Sequence, residues 1–224
     1  MNESSQVITV GMIGGHGQIA LRATKLLTAA GHRVLSVIRN PAHAADVERV
    51  GGEPVVLDLE HSSGEELARA LGAADTLVFA AGAGPGSGPE RKETVDHQGA
   101  LTTMAAAAAL GARVVQISYI GVAIEPPASM GVDFAAYQRA KYAADLALEA
   151  SGVRWVIVRP GTLTDEQGSG HVTVGATLER GPVSRDNVAR VLAAVVARPD
   201  LDGFAFDMLD GDTDMEQAVA DLGS

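Results

Sequence analysis

Val7-Ile8-Thr9-Val10-Gly11-Met12-Ile13-Gly14-Gly15-His16-Gly17-Gln18-Ile19-Ala20 is the stretch on which the fold turns. Its first half is a short, largely apolar run, the mark of a strand buried on both faces. From Gln18 the spacing becomes helical and holds to residue 30, where Gly31-His32 gives a stop signal. Between the two lies Gly14-Gly15-His16-Gly17-Gln18-Ile19-Ala20, a G-x-x-G-x-x-A turn that opens a helix. Glycines there let the backbone approach a pyrophosphate, whose charge would rest on free N–H groups at the helix start. Gly11, Gly15 and Gly17 also fit a second spacing, G-x-x-x-G-x-G. The Gly14 frame is preferred because it leaves 7–13 as a full-length strand and sets the turn directly before the helix.

The alternation of strand and helix continues outward from this unit. Strands are expected over 33–38, 54–57, 76–81, 113–118, 155–159 and 204–209. Helices are expected over about 41–50, 65–71, 94–110, 134–150 and 187–197, with a last short helix after them. Apolar strands alternating with helices predict an α/β fold of the Rossmann type, a doubly wound parallel sheet with helices on both faces. No linker rich in Pro, Ser or charge divides the chain, and 82–88 is a loop at a strand end, so 1–224 is expected to form one domain.

Composition narrows the functions open to such a domain. With 224 residues the chain can bury a full core, and its hydrophobic fraction of 46% is mostly Ala, Val and Leu, with 4% aromatic. The formal net charge of −11, with no run of Lys or Arg against it, opposes nucleic-acid binding. There is no cysteine, and the six histidines are scattered without metal-ligand spacing, so no metal is expected. The start Met1-Asn2-Glu3-Ser4-Ser5 is polar and the apolar run after it is short and broken by Gly, which predicts no signal or membrane span and a cytoplasmic protein, monomeric or homodimeric.

The cofactor residues follow from the turn. Gly14, Gly15, His16 and Gly17, with Gln18 and Ile19 at the helix start, would surround the diphosphate. About twenty residues on, where an acid would serve the ribose of NAD, the second strand ends in Arg39. A forked guanidinium suits a 2′-phosphate, so NADP(H) is expected over NAD(H), unless Arg39 is merely an exposed residue before the Asn40-Pro41 turn. Asp58, with Leu59 after it, fits either an adenine contact or a turn cap. Ala80-Ala81-Gly82 ends the fourth strand with the small residues needed where chain passes beside a ribose and diphosphate.

Together these pieces resemble the atypical short-chain dehydrogenase/reductases, NAD(P)H-binding proteins related to NmrA and to the flavin/biliverdin reductases of the B type. Besides the turn, the resemblance rests on Gly31-His32-Arg33-Val34, Val37-Ile38-Arg39-Asn40-Pro41, Leu57-Asp58-Leu59, Val95-Asp96-His97-Gln98-Gly99-Ala100 and Ser151-Gly152-Val153. It continues through Ile157-Val158-Arg159-Pro160-Gly161-Thr162-Leu163-Thr164 and Val183-Ser184-Arg185-Asp186-Asn187-Val188-Ala189. Ala20 stands where relatives usually carry Gly. The resemblance implies that Pro160, Gly161 and Thr162 set backbone against the nicotinamide, and that Arg39 binds the NADP phosphate.

Tyr137 and Lys141 stand four apart in an expected helix and therefore share one face. The pair resembles the Tyr-x-x-x-Lys signature of the superfamily, in which tyrosine exchanges a proton with a carbonyl or alcohol and lysine lowers its pKa and holds the nicotinamide ribose. Ser118, ending the preceding strand, would polarise the same oxygen. Two functions are expected from this set: an NADP(H)-dependent oxidoreductase acting on a small carbonyl, quinone or flavin, or a non-catalytic NADP(H) redox sensor of the NmrA-like kind. Substrate-side elements are expected at about 120–133 and 164–182, the second too short for a nucleotide-sugar domain.

Overall fold

A computed structural model describes residues 7–84 and 86–223. The polar start Met1 to Ser5 lies outside the described residues. Strands β1 (Thr9–Ile13), β2 (Arg33–Ile38), β3 (Glu53–Val56), β4 (Thr76–Phe79), β5 (Arg113–Ile117), β6 (Trp155–Pro160) and β10 (Phe204–Asp210) form the parallel body of one sheet. With β8 (His171–Gly175) and β11 (Thr213–Asp214) added, the full strand order is β3-β2-β1-β4-β5-β6-β10-β8-β11. The order reverses between β1 and β4, and it is at such a switch point, beyond the strand ends, that open α/β sheets hold ligands.

Helices cover both faces, as the unbroken apolar strands require. On one side α1 (Gln18–Ala29), α7 (Arg185–Val196) and α8 (Met215–Ala220) close over Val10, Met12, Val78, Val115 and Val156. On the other, α3 (Gly64–Leu71), α5 (Gly99–Leu110) and α6 (Gly131–Ala150) close over Ile13, Leu77, Phe79, Val114 and Ile157. Gly11 sits inside β1, where a Cβ would come within 2.7 Å of Leu77 Cδ2, so its smallness serves packing and the turn belongs to Gly14. Arg113, 1% exposed at the foot of β5, donates to the carbonyls of Val195, Val196, Arg198 and Leu201 at 2.7–3.1 Å. One guanidinium thus caps the end of α7 and pins it to the sheet; burial lowers its pKa to about 10.

Three elements depart from the expected ones. The helix expected from residue 94 starts earlier, as α4 (Pro89–Arg91) followed by a π-helical turn over Lys92–Gln98 that leads into α5. The 41–50 helix is a 3₁₀ turn at Pro41–His43 followed by α2 (Ala44–Arg49). The 164–182 segment, expected on the substrate side, brings Arg180 over the Tyr119 ring and also adds to the sheet. It contributes β8 (His171–Gly175), which runs antiparallel to β10 and pairs with β11 (Thr213–Asp214). Val172 is fully buried, and β8 covers an edge that β10 would otherwise leave open. A separate pair, β7 (Thr162–Thr164) and β9 (Pro182–Ser184), brackets the segment. No helix among the described residues is long and apolar enough to cross a membrane.

Candidate active site at the strand ends

Gly14 has φ +81°, and a Cβ on it would come within 2.6 Å of Ala81 Cα. Only glycine fits that approach without displacing the end of β4. Gly15 is constrained from the other side of the turn. A Cβ there would meet Ser36 Cβ at 2.5 Å, and its N–H donates to Val37 O at 2.9 Å, so it seats the turn on β2. Gly17 precedes α1, whose start carries no side-chain cap and no acid in its first turn. The first N–H groups of α1 are left for an anion, as a dinucleotide diphosphate requires.

A cleft of about 400 Å³ opens beside this turn, and nine of the anticipated residues line it: Gly14, His16, Gly17, Arg39, Asp58, Leu59, Ala80, Ala81 and Gly82. Gln18 and Ile19 are not on its wall; the Gln18 side chain accepts from Arg22 at 3.3 Å, and Ile19 packs toward the core. The His16 ring stacks on His43 at 3.7 Å, and its Nε2 lies 2.9 Å from Asp46 Oδ2. Asp58 caps the turn after β3, accepting from the Glu60 N–H at 3.1 Å. Both roles set out for Asp58 are therefore open to it, since it caps and also faces the cleft.

Glu60 was not legible in the sequence. Its Oε2 receives Arg39 Nη1 at 3.0 Å and Arg91 Nη2 at 2.8 Å, and its Oε1 receives the Thr94 hydroxyl at 2.5 Å. The Thr94 hydroxyl and, against a desolvation cost, Arg91 hold this carboxyl below its usual range. Two guanidiniums from distant segments therefore meet on the cleft wall.

Beyond the turn, at the end of β5, lie the residues anticipated for chemistry. Ser118 is 3% exposed and its hydroxyl has no partner among the described residues. Lys141, equally buried, donates to Ile117 O and lies 5.4 Å from the centre of the Phe79 ring. Burial lowers the pKa of this ammonium, while Asp96 and Asp145 oppose the shift. Tyr137 stacks on Tyr119 with ring centres 5.4 Å apart. Burial, and after it the carboxylate of Asp96, pushes the Tyr137 phenol well above its ordinary value. The Tyr119 hydroxyl is buried without a partner among the described residues, and burial raises it to about 12.

Asp96 and Lys92 come from the π-helical turn and were not anticipated as site residues. Asp96 is 1% exposed, accepts the Ala83 N–H at 3.1 Å, and is raised by burial against the pull of Lys141. Pro160, Gly161 and Thr162 lie at the junction of β6 and β7. The Gly161 N–H donates to Met208 O of β10 at 3.1 Å and that of Thr162 to Gly181 O, just before β9, at 2.8 Å, so neither N–H is free. Arg159 is structural as well, holding Asp145 of α6 at 3.2 Å.

The model of the NAD(P)H-binding family matches residues 14–199. A protein of Bacillus subtilis named as the uncharacterized sugar epimerase YhfK is 35% identical, the match covering 94% of this chain and 98% of that one. A UPF0659 protein of Schizosaccharomyces pombe is 34% identical, with 93% and 92% covered. Among solved structures, a Bacillus halodurans protein provisionally assigned as an NAD-dependent epimerase/dehydratase superposes with a TM-score of 0.88 at 30% identity, covering 96% of this chain and all of that one. Below 25% identity the fold alone is shared, as with the anaerobillin reductase ChuY of Escherichia coli (TM-score 0.72, 21% identity, 91% and 98% covered). A short-chain dehydrogenase/reductase of Veillonella parvula in complex with NADP is another such case (0.74, 16%, 93% and 97%). The chain belongs to the NAD(P)H-binding family, and the resemblance to atypical short-chain dehydrogenase/reductases holds. Its residues fit such a cofactor: the Gly14 cradle admits no Cβ, the start of α1 is uncapped, and a buried Ser118 hydroxyl faces no protein partner among the described residues.

Proposed function

We propose that the protein is an NADP(H)-dependent oxidoreductase whose substrate is a small carbonyl, quinone or flavin. The observation that carries this reading is the unpartnered, buried Ser118 hydroxyl one residue beyond the Ile117 carbonyl that Lys141 grips. Burying a hydroxyl without a hydrogen bond costs about 1–3 kcal/mol, and such a cost is usual where a ligand completes the bond. When bound, the dinucleotide supplies or accepts hydride at its nicotinamide. Ser118 then donates a hydrogen bond to the substrate oxygen, and Tyr137, kept protonated by burial, delivers a proton to it. Lys141 holds the β5 end and the ribose side of the site. The Gly14 turn and the start of α1 carry the diphosphate, and Arg39 takes the 2′-phosphate in competition with Glu60.

Substrate size follows from the 164–182 segment. Because the segment is short and gives its middle to the edge strand β8, it supports a small or shallowly bound substrate over a nucleotide sugar, whatever the name of the Bacillus subtilis relative. The test is titration with NADPH and NADH followed by nicotinamide absorbance against a panel of quinones, flavins and carbonyls. Tight NADPH binding with turnover supports the oxidoreductase. Tight binding without turnover favours the redox-sensing module, and no binding overturns both.

A further inference from the structure

Lys92 is one of three lysines in the chain, and only 6% of it is exposed. A buried ammonium is costly unless nearby groups compensate its charge. Three compensations surround this one. It donates to the carbonyl of Gly84, its Nζ lies 5.4 Å from the centre of the Tyr137 ring, and Asp96, buried four residues on in the same π-helical turn, attracts it. The second distance lies within cation–π range. π-Helical turns recur at functional sites, where their wide register redirects side chains.

The lysine that sequence spacing pairs with Tyr137 is directed elsewhere. Lys141 spends its ammonium on Ile117 O and the face of Phe79. We propose that Lys92, not Lys141, is the positioning residue that sets the acidity of Tyr137, its ammonium lying against the ring and stabilising the phenolate left after proton delivery. This rests on the reading of Tyr137 as proton donor given above. In that step the Tyr137 O–H bond breaks, the substrate oxygen takes the proton with its own electron pair, and the remaining charge spreads from the phenolate oxygen into the ring. The groups around the phenol divide clearly: Asp96, Asp145 and the Tyr119 phenol oppose its ionisation, Lys92 lies over its ring, and Lys141 sits one turn along α6.

The test places 3,5-difluorotyrosine at position 137, so that the phenol raised by burial ionises within an accessible alkaline range, and follows its ultraviolet absorbance with pH in the cofactor-free protein. Lys92→Met should raise the midpoint by about one pH unit. Lys92→Gln, which keeps a donor for Gly84 O but not the charge, should do the same, whereas Lys92→Arg should stay near the parent. Charge-removing variants that leave the midpoint unmoved, or a Lys141→Met shift as large as that of Lys92→Met, would overturn the assignment. A merely structural Lys92 would alter stability in both the Met and Gln variants without this charge-dependent pattern. Turnover of Tyr137→Phe separates the two readings. Unchanged NADPH consumption removes the proton-donor role and, with it, the catalytic meaning of Lys92, while lost consumption with an unmoved midpoint removes only the role of Lys92.

Discussion

Gly14→Ala is the perturbation that most directly probes how the cofactor cradle is built. Two costs add at this position. The first is the left-handed φ of +81°, which for a residue with a Cβ costs about 1–2 kcal/mol. The second is steric: the new Cβ would stand 2.6 Å from Ala81 Cα and 2.8 Å from Ala81 N, whereas ordinary contact begins near 3.4 Å. Because the clash is with backbone, the end of β4 must move, at a cost of about 1–3 kcal/mol, typical of overpacking. The expected total is about 2–5 kcal/mol, read by urea unfolding. Gly31→Ala provides the comparison, since Gly31 has φ +88° with nothing within 4 Å of its absent Cβ, and it bears only the first cost. On the proposed reading, in which the displaced turn carries the diphosphate, NADPH affinity should fall at least about tenfold in Gly14→Ala and should be unchanged in Gly31→Ala. Equal stability losses in the two variants, with cofactor binding intact in both, would refute the claim that the turn is shaped by its approach to Ala81.

Other expectations can be checked separately. Arg39→Ala should weaken NADPH binding by about 1–3 kcal/mol and leave NADH nearly unaffected in parallel titrations; equal losses would remove the 2′-phosphate role. Arg113→Met should cost about 3 kcal/mol or more in urea unfolding, since four carbonyls at 2.7–3.1 Å lose their donor, and should leave cofactor affinity unchanged. Tyr119→Phe should flatten the loss of stability between pH 10.0 and about 12. The Tyr119 phenol is raised in the folded state, so the unfolded chain releases that proton first and stability falls with rising pH across this window; an identical alkaline limb in the variant would contradict the buried phenol.

The fold was legible because its signals are local and repeated. The apolar run before Gly14, the stop at Gly31 and the exact span of β2 each follow from residue types a few positions apart. That nine of the anticipated residues line one cleft was legible for the same reason, since most of that cleft is backbone at strand ends whose position follows from the strand count. Glu60 was missed because its meaning depends on Arg39 and Arg91, which are 21 and 31 residues away, meeting on one carboxylate oxygen. The β8 edge strand was missed because 171–175 is short and Gly-flanked, and only the open edge of β10 turns it into a strand. The π-helical turn was missed because the sequence through Val95-Asp96-His97-Gln98 carries ordinary helical signals; the wider winding at Lys92–Gln98 appears only in the folded chain, packed against α6.

These misses share a physical basis that bears on function. A dinucleotide presents the same diphosphate to every member of such a family, so a backbone turn and a helix end suffice for it, and both are written in consecutive residues. The proposed reacting end instead draws polar and charged groups from several elements: Lys92 and Asp96 from the π-helical turn, Tyr137, Lys141 and Asp145 from α6, and Ser118 and Tyr119 beyond β5. Asp96 bears on both Lys141 and Tyr137, so changing it would alter the protonation of its neighbours. The spacing of Tyr137 and Lys141 identifies the helix face to which the proposed chemistry is assigned. Which cation lies nearest that ring depends on packing across elements, and in this chain the packing brings Lys92 within 5.4 Å of its centre.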